Sequence, residues 1–245
     1  MRKSALMIFV LVMVAFVALA QSAAPSLSLD QVRQKLEENY KTVATLQANF
    51  EQELWSATQG RVISKGEGSV KYKKPGRMVW QYVKPEEHLY LTDGDTIWDY
   101  TPAEKEVTVY QVKDSLYKSF LIGIGDLKKD FEVSFHSGRA KNQAGLYQLD
   151  LTPRDPTERE TIGRITIYVD PETFLVRETE TIDALGNRNV IRFKDVVKNP
   201  TLPDEDFKFT PPKGVRVIKA DAPKPAAQPP KPAPKPGAGQ PPKQK

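Results

Sequence analysis

The sequence predicts an α+β fold in which one strongly curved antiparallel β-sheet of about ten or eleven strands carries a few short helices. One helical stripe opens the body of the chain, and eleven runs with a two-residue period follow it. Turns rich in glycine, proline and aspartate separate these runs. Short strands joined by tight turns are typical of an antiparallel meander, and a sheet this long curls instead of staying flat.

The first 20 residues have the layout of a secretory signal peptide. Arg2 and Lys3 form its positive start, and an unbroken apolar run extends from Ala5 to Ala20. The run ends in Ala18-Leu19-Ala20, the small-residue pattern that signal peptidase recognises, so we expect cleavage after Ala20. The alternatives are an uncleaved anchor and cleavage after Ala24, which Pro25 disfavours. No second long apolar run follows. We therefore expect a soluble protein exported to the periplasm.

The chain contains no cysteine. This excludes a disulfide framework, a thiolate metal site and a thiol nucleophile. It also excludes a lipid anchor on the chain itself, because bacterial lipoproteins carry their lipid on a cysteine directly after the signal. We therefore expect the mature protein to be unlipidated.

The positive charge is concentrated in the C-terminal tail, residues 220–245. Nine prolines and five lysines against the single acid Asp221 give this segment a net charge of +4. Because the whole chain carries +5 and the signal contributes Arg2 and Lys3, residues 21–219 are close to neutral. We expect a disordered Pro/Lys-rich tail after one domain at 21–219, and no nucleic-acid binding.

An amphipathic helix is predicted at the start of the domain. Ser28 is a candidate N-cap, and Gln31 stands at the capping-box position three residues later. One apolar stripe runs through the positions that follow at helical spacing: Leu29, Val32, Leu36, Tyr40 and Val43.

The period changes to two from Leu46 onward, which predicts strands. In the first strand the alternating positions are Leu46, Ala48, Phe50, Gln52 and Leu54. The further predicted strands are Ser69–Lys73, Arg77–Val83, His88–Thr92, Thr96–Tyr100, Val107–Val112, Phe131–Phe135, Leu146–Leu151, Arg164–Val169, Leu175–Ile182 and Asn189–Val196. Between the sixth and seventh, residues 114–122 predict a short helix that covers one mouth of the curled sheet.

The residues offer no catalytic set. His88 and His136 are the only histidines, and we expect His88 to be an exposed strand residue instead of a ligand or base. Gly123-Ile124-Gly125 begins a dinucleotide fingerprint, but Lys128 takes the third glycine position. Asp204-Glu205-Asp206 is expected to be a solvated acidic turn. We therefore expect no enzyme, no metal and no cofactor.

Three local patterns carry a resemblance to a known family. The first is Phe50-Glu51-Gln52 followed by Gly66-Glu67-Gly68-Ser69-Val70. The second is Lys74-Pro75-Gly76-Arg77-Met78-Val79-Trp80, which leads on to residues 91–100. The third is the closing run from Phe207 to Val215. Together, and after a signal peptide, they make the chain similar to the outer-membrane lipoprotein carrier (LolA) family from about Leu29 to Val217.

The resemblance implies an unclosed barrel whose helices form a lid over an apolar cavity. It implies a monomeric carrier that takes acylated lipoproteins from an inner-membrane lipoprotein-releasing ABC transporter and hands them to an outer-membrane lipoprotein receptor. Met78 falls where the family has an apolar cavity residue, and Trp80 matches the tryptophan that follows on the same strand face. By strand and helix periodicity, the expected cavity neighbours are Leu89, Leu91, Trp98, Leu116, Phe120 and Leu121.

Two cations are candidates for control of the lid. The family has an arginine before Pro75 that reaches backbone carbonyls of the lid, whereas this chain has Lys74. Lysine lacks the planar fork of arginine, so its contacts would be looser. Arg77 stands nearby as an alternative, and the sequence leaves the choice between them open.

Other interpretations stay open at this point. The residues alone do not separate a filled core from a cavity that opens, and without the resemblance they favour the filled core. A lipid- or lipoprotein-sensing envelope-stress regulator with a related fold is the nearest alternative, although such proteins usually carry a second domain. A receptor with the same fold would need the missing lipid-bearing cysteine. A structural protein would use the lysine tail to bind an anionic cell wall or lipid headgroups.

Overall fold

The computed structural model describes residues 27–111 and 127–220 of the chain. Its helices are α1 (Leu29–Lys41), α2 (Leu127–Asp130) and α3 (Pro156–Thr161), with 3-10 turns at Pro102–Glu104, His136–Gly138 and Asp204–Phe207. Its strands are β1 (Thr45–Ser56), β2 (Arg61–Lys73), β3 (Arg77–Lys84), β4 (His88–Thr92), β5 (Thr96–Thr101), β6 (Glu106–Gln111), β7 (Phe131–Phe135), β8 (Tyr147–Pro153), β9 (Ile162–Val169), β10 (Val176–Asp183), β11 (Arg188–Lys198) and β12 (Arg216–Lys219). No helix in the described ranges is both long enough and apolar enough to span a membrane.

All the strands belong to one sheet, in the order β12-β6-β5-β4-β3-β2-β1-β11-β10-β9-β8-β7. Neighbouring strands are antiparallel except β12, which pairs in parallel with β6. The sheet is strongly curved and does not close into a barrel, so β12 and β7 remain as its edges in the described part of the chain. The α+β class and the unclosed, curved sheet are therefore confirmed.

The predicted strands all exist, but the prediction missed two segments. β2 begins at Arg61, eight residues earlier than predicted, because Gly66 and Gly68 interrupt the pattern there. β12 is short, largely exposed and parallel to its neighbour, so neither length nor alternation marks it. The helix predicted for residues 114–122 lies outside the described residues.

The first helix begins as predicted. The Ser28 side chain accepts a hydrogen bond from the Gln31 backbone N–H at 3.3 Å, and the Gln31 side chain accepts from the Ser28 backbone N–H at 2.9 Å. This reciprocal capping box satisfies two N–H groups that have no partner within the helix. Val32 and Leu36 are fully buried, so the stripe packs α1 against the sheet.

The sheet has two faces with different roles. We call the face that carries α1 and the two apolar clusters below the inner face, and the opposite one the outer face. The helix-covered cluster joins α1 and α2 to strands β7–β10, and its buried members are Val32, Leu36, Leu127, Phe131, Tyr147, Leu149, Leu151, Ile165, Ile167, Val169 and Val176. The aromatic cluster lies on β1–β3 and β11, and its buried members are Ala48, Phe50, Val70, Met78, Trp80, Tyr82 and Ile191. Phe193 of β11 contacts both.

Candidate functional site

The aromatic cluster is built from rings in close contact. The Phe50 ring lies 4.5 Å from the Trp80 ring and 4.9 Å from the Tyr82 ring, between ring centroids. The Trp80 ring is also met edge-on by Phe193 at 6.1 Å. Met78 precedes this group on the same face, and Met78 and Trp80 are only 2% and 3% exposed. Thioether and aromatic groups adapt to irregular apolar shapes, so the surface suits flexible hydrocarbon.

Alternation and register bring these side chains together. Met78, Trp80 and Tyr82 occupy every second position of β3 and therefore share one face. Trp80 lies directly opposite Val70 of β2, which in turn lies opposite Ala48 of β1. Directly opposite residues share a face, so the cluster crosses three strands at one level.

Two glycines of β2 make room for the backbone of β3 and for the Tyr82 ring. A Cβ atom at Gly68 would lie 1.9 Å from the Gln81 carbonyl oxygen, which no side chain can tolerate. A Cβ atom at Gly66 would lie 3.0 Å from Cε1 of Tyr82, so the tyrosine ring rests directly on the strand backbone there. The Gly66-Glu67-Gly68 pattern thus has a steric cause.

The predicted cavity residues of β4 and β5 lie on the other face. Opposite Trp80 in β4 stands Tyr90, whereas Leu91 stands opposite Val79 and Leu89 opposite Gln81. Trp98 of β5 stands opposite Leu91. The structure therefore brings Met78 and Trp80 together but places Leu89, Leu91 and Trp98 on the outer face. Leu116, Phe120 and Leu121 lie outside the described residues.

The outer face at β3–β6 is covered by the C-terminal segment, which explains why apolar residues point there. The Phe209 ring lies 6.3 Å from the Trp98 ring and 5.4 Å from the Tyr100 ring. Phe207 is buried, with the guanidinium of Arg77 over its ring at 5.7 Å. β4 is thus covered on both sides, and its alternation alone does not tell which face is inner.

The acidic turn fastens this segment to the sheet. Asp204 lies 2.6 Å from Nζ of Lys73 and 2.8 Å from Nη1 of Arg77, and Asp206 lies 2.9 Å from Nζ of Lys71. Hydrogen bonds from Lys73 and Arg77 lower the pKa of the Asp204 carboxyl below its usual value. The expectation of a simple solvated turn was therefore incomplete, because two of its acids form ion pairs on the outer face.

Lys74 and Arg77, the two candidates for lid control, point to different places. The Lys74 ammonium donates hydrogen bonds to the backbone carbonyls of Tyr40 at 2.9 Å and Lys41 at 3.2 Å, the last residues of α1. These carbonyls lack partners within the helix and carry its negative partial charge, so a cation suits them. Arg77 instead binds Asp204 on the outer face. Of the two, Lys74 is the one in contact with the helix.

Further contacts hold the same end of α1. The Asn199 side chain accepts from the Ala44 N–H at 2.8 Å and donates to the Thr42 carbonyl at 3.0 Å. The Tyr40 hydroxyl accepts from the Val176 N–H at 3.1 Å, and burial raises the pKa of Tyr40 to about 12. The helix end is thus tied to β10 and to the residues after β11.

His88 is not the exposed residue that the sequence suggested. It is buried, its Nε2 lies 2.6 Å from Oδ1 of Asp99, and its ring stacks on Tyr90 at 4.4 Å. It faces inward because it stands opposite Tyr82 in the β3–β4 register. Among the described residues, no group of three or more histidines, aspartates or glutamates is arranged to hold a metal ion.

A buried polar chain, which the sequence analysis did not assign as a site, borders the aromatic cluster. The Tyr82 hydroxyl donates to Oε1 of Gln52 at 2.8 Å, and Nε2 of Gln52 donates to Oδ1 of Asn189 at 2.8 Å. We call these three residues the polar row. Burial raises the pKa of Tyr82 well above its usual value. The sequence did contain one signal, since Gln52 takes an inward position among apolar residues of β1.

The chain is similar to known proteins in both sequence and fold. The family model described as "Outer membrane lipoprotein carrier protein LolA" matches residues 41–210. The outer-membrane lipoprotein carrier protein of Dechloromonas aromatica (strain RCB) is 32% identical over 187 residues, which cover 75% of this chain and 86% of the relative. The corresponding protein of Legionella pneumophila (strain Lens) is 31% identical over 188 residues, covering 75% and 88%.

The fold is also found among solved structures. One is an uncharacterized conserved protein from Thermus thermophilus, which aligns with a TM-score of 0.51 over 78% of this chain and 98% of its own. The two sequences are only 11% identical, so the likeness is one of fold.

Proposed function

The chain belongs to the family of outer-membrane lipoprotein carrier proteins, and we propose that it carries lipoproteins across the periplasm. It takes them from an inner-membrane ABC transporter, shelters their acyl chains against the inner face of the sheet, and hands them to an outer-membrane receptor. On this proposal the protein acts by binding and release, without catalysis.

The observation that carries the proposal is the aromatic cluster. A lipoprotein cannot expose its acyl chains to water, because each methylene costs about 0.8 kcal/mol. A chain of roughly 15 methylenes therefore gains on the order of 12 kcal/mol when it is fully buried. Met78, Phe50 and Trp80 offer a continuous surface of the right chemistry. Because these three side chains are buried in this structure, an acyl chain reaches them only after the protein opens.

Lys74 supports an opening motion at the end of α1. Its ammonium binds the last carbonyls of the helix by two hydrogen bonds, which release one at a time more readily than a bidentate guanidinium would. We propose that these bonds hold the C-terminal end of α1 in the closed position and break on loading, while the buried Val32 and Leu36 keep the rest of the helix on the sheet. Arg77, fixed to Asp204, has no part in this step.

Transfer follows differences in affinity between partners. A carrier without a nucleotide site releases cargo only to a partner that binds it more tightly. In this scheme the transporter supplies the energy for loading, and the receptor draws the cargo onward.

The proposal also covers the signal peptide at the start of the chain and the tail at its end. Cleavage after Ala20 would release a mature chain that begins at Gln21, and residues 220–245 would form a Pro/Lys-rich tail that trims activity without being essential for it. Mass spectrometry of the mature protein and a chain that stops at Lys219 test these two points.

Native mass spectrometry of protein purified gently from its own cell envelope tests the function. We expect a fraction of the protein to carry one acylated protein, released when the complex is dissociated. Finding no acylated protein or lipid under conditions that preserve such complexes would contradict carriage.

A further inference from the structure

The polar row lies at one end of the aromatic cluster and shares a residue with it. Tyr82, Gln52 and Asn189 are each at most 1% exposed. Tyr82 belongs to both groups, and on the same face Gln52 follows Phe50 by two residues, as Ile191 follows Asn189. The row therefore stands one side-chain position beyond the apolar surface, at the end away from Met78 and Lys74.

The row ends in a donor that has no acceptor. Oδ1 of Asn189 accepts from Gln52, which leaves the amide N–H₂ group for a second partner. This buried Nδ2 atom makes no hydrogen bond with any described part of the chain. Buried amides are almost always paired in folded proteins, and an unpaired one weakens the fold. An orphan donor beside an apolar surface suits an oxygen acceptor that arrives attached to hydrocarbon.

The backbone of β2 is shaped to allow the row. Tyr82 lies on β3 and Gln52 on β1, so their hydrogen bond must cross β2. The crossing passes over Gly66, whose missing side chain leaves the tyrosine ring and Oε1 of Gln52 within 3.5 Å of the space a Cβ atom would fill. Strand β2 thus contributes space to the row while its neighbours contribute the polar groups.

We propose that the Asn189 amide donates a hydrogen bond to the ester carbonyl oxygen at the root of a bound acyl chain. This inference rests on the proposed function and names the chemical group that the inner face recognises. The hydrocarbon then runs from Asn189 over Phe50 and Trp80 toward Met78. An ester-linked diacylglyceryl group satisfies the amide, whereas a dialkyl ether of the same length offers only a weak acceptor.

The experiment compares two synthetic peptides that carry an S-linked lipid on an N-terminal cysteine. One has two ester-linked acyl chains, and the other has two ether-linked alkyl chains of equal length.

Affinities are measured by fluorescence for the mature protein and for two variants. Asn189→Ala removes the amide and leaves space for water to accept from Gln52, and the double variant Gln52→Leu/Asn189→Leu replaces both partners by apolar groups. Val190→Ala is the control, since Val190 is also buried but on the outer face.

We expect the native protein and Val190→Ala to bind the ester peptide about tenfold more tightly than the ether peptide, a difference worth about 1.4 kcal/mol. Both Asn189 variants should bind the two peptides with equal affinity, the affinity that the native protein has for the ether peptide. An unchanged ester preference in either folded variant, or no preference in the native protein, overturns the inference and leaves carriage intact. If the native protein binds neither peptide, the proposed function fails and the inference fails with it.

Discussion

The helix-covered cluster and the aromatic cluster lie on the same face of one sheet and are built by the same alternation, yet they differ in what covers them and in their side chains. The first is largely aliphatic and is covered by α1, which is capped at Ser28 and whose Val32 and Leu36 are fully buried in it. The second contains Phe50, Trp80, Tyr82 and Met78, and no residue of α1 belongs to it. Close, specific packing favours a permanent core, whereas large adaptable surfaces favour exchange of contacts.

The difference suggests a division of labour within the sheet. On the proposed function, one half supplies stability, and the other supplies the surface that the acyl chains of the cargo occupy. Strands β1 and β11 pair at the junction, and Phe193 contacts both clusters there. The following predictions test whether the two halves behave differently when equivalent changes are made in each.

A buried charge should give the largest contrast. Leu149→Glu in the helix-covered cluster should unfold the protein, because an unpaired carboxylate in a closed core is strongly destabilising. Met78→Glu should leave a folded protein that no longer loads lipoprotein, since on the proposed function the aromatic half opens to water. Circular dichroism and a loading assay separate the two results. Val83→Glu, at an exposed position of the same strand, is the control. Global unfolding of Met78→Glu would mean that the aromatic cluster is an ordinary core.

Truncation to alanine should give a smaller contrast, in the free energy of unfolding. Leu36→Ala should lower the free energy of unfolding by about 3 kcal/mol, as expected for a cavity that cannot collapse. Met78→Ala should lower it by only about 2 kcal/mol, the low end of the range for such truncations, because neighbouring rings can repack. Urea unfolding measures both values. Equal losses at the two positions would remove the distinction between the two halves.

Loss of the Lys74 ammonium should loosen α1 without unfolding the sheet. Lys74→Met removes the two bonds to the helix carbonyls, and we expect a loss of about 1 kcal/mol in stability together with faster loading and faster release. Lys74→Arg should restore a slow release. Lys65→Met, which removes an exposed cation that pairs with Glu53 elsewhere on the sheet, should change neither rate. Unchanged kinetics in Lys74→Met would exclude it from lid control.

The smallest effect concerns alkaline pH and Tyr40. Its pKa is raised to about 12 in the folded protein, so above pH 10 the unfolded chain loses the phenolic proton while the folded chain keeps it. Stability should therefore fall as pH rises from 10 toward 12, by roughly 1 kcal/mol at pH 11 from this group. Tyr40→Phe should be less stable at pH 8, because the bond from the Val176 N–H is lost, but should show a shallower decline with pH in urea titrations. A decline as steep as that of the native protein would assign the effect to other groups.

Much of the fold could be predicted because local patterns specify it. Ser28 and Gln31 mark the start of α1, and the alternation of Met78, Trp80 and Tyr82 marks one face of β3. Both features depend only on residues close in sequence. Which residues share the inner face with Met78 and Trp80 depends on contacts between residues far apart in sequence, and the prediction of these residues was less complete.

The site residues of β4 and β5 show why. Leu89 and Leu91 alternate as inner-face residues would, but Phe207 and Phe209, more than a hundred positions later, cover the outer face and attract apolar side chains to it. His88 is buried for the same reason. Because Leu89 and Leu91 face outward, the alternation of β4 places His88 on the inner face. Asn189 and Gln52 likewise come into hydrogen-bond contact only through strand register, which no local pattern reveals.

The most direct test of the central claim is to map where a bound acyl chain lies. A synthetic lipopeptide with a photoreactive diazirine near the end of one acyl chain is loaded onto the mature protein, irradiated and located by peptide mass spectrometry. We expect crosslinks on the inner face at Met78, Phe50 and Trp80, all lost with excess unlabelled lipopeptide. Crosslinks confined to the helix-covered cluster around Leu149, or to Leu91 and Trp98 on the outer face, would contradict it.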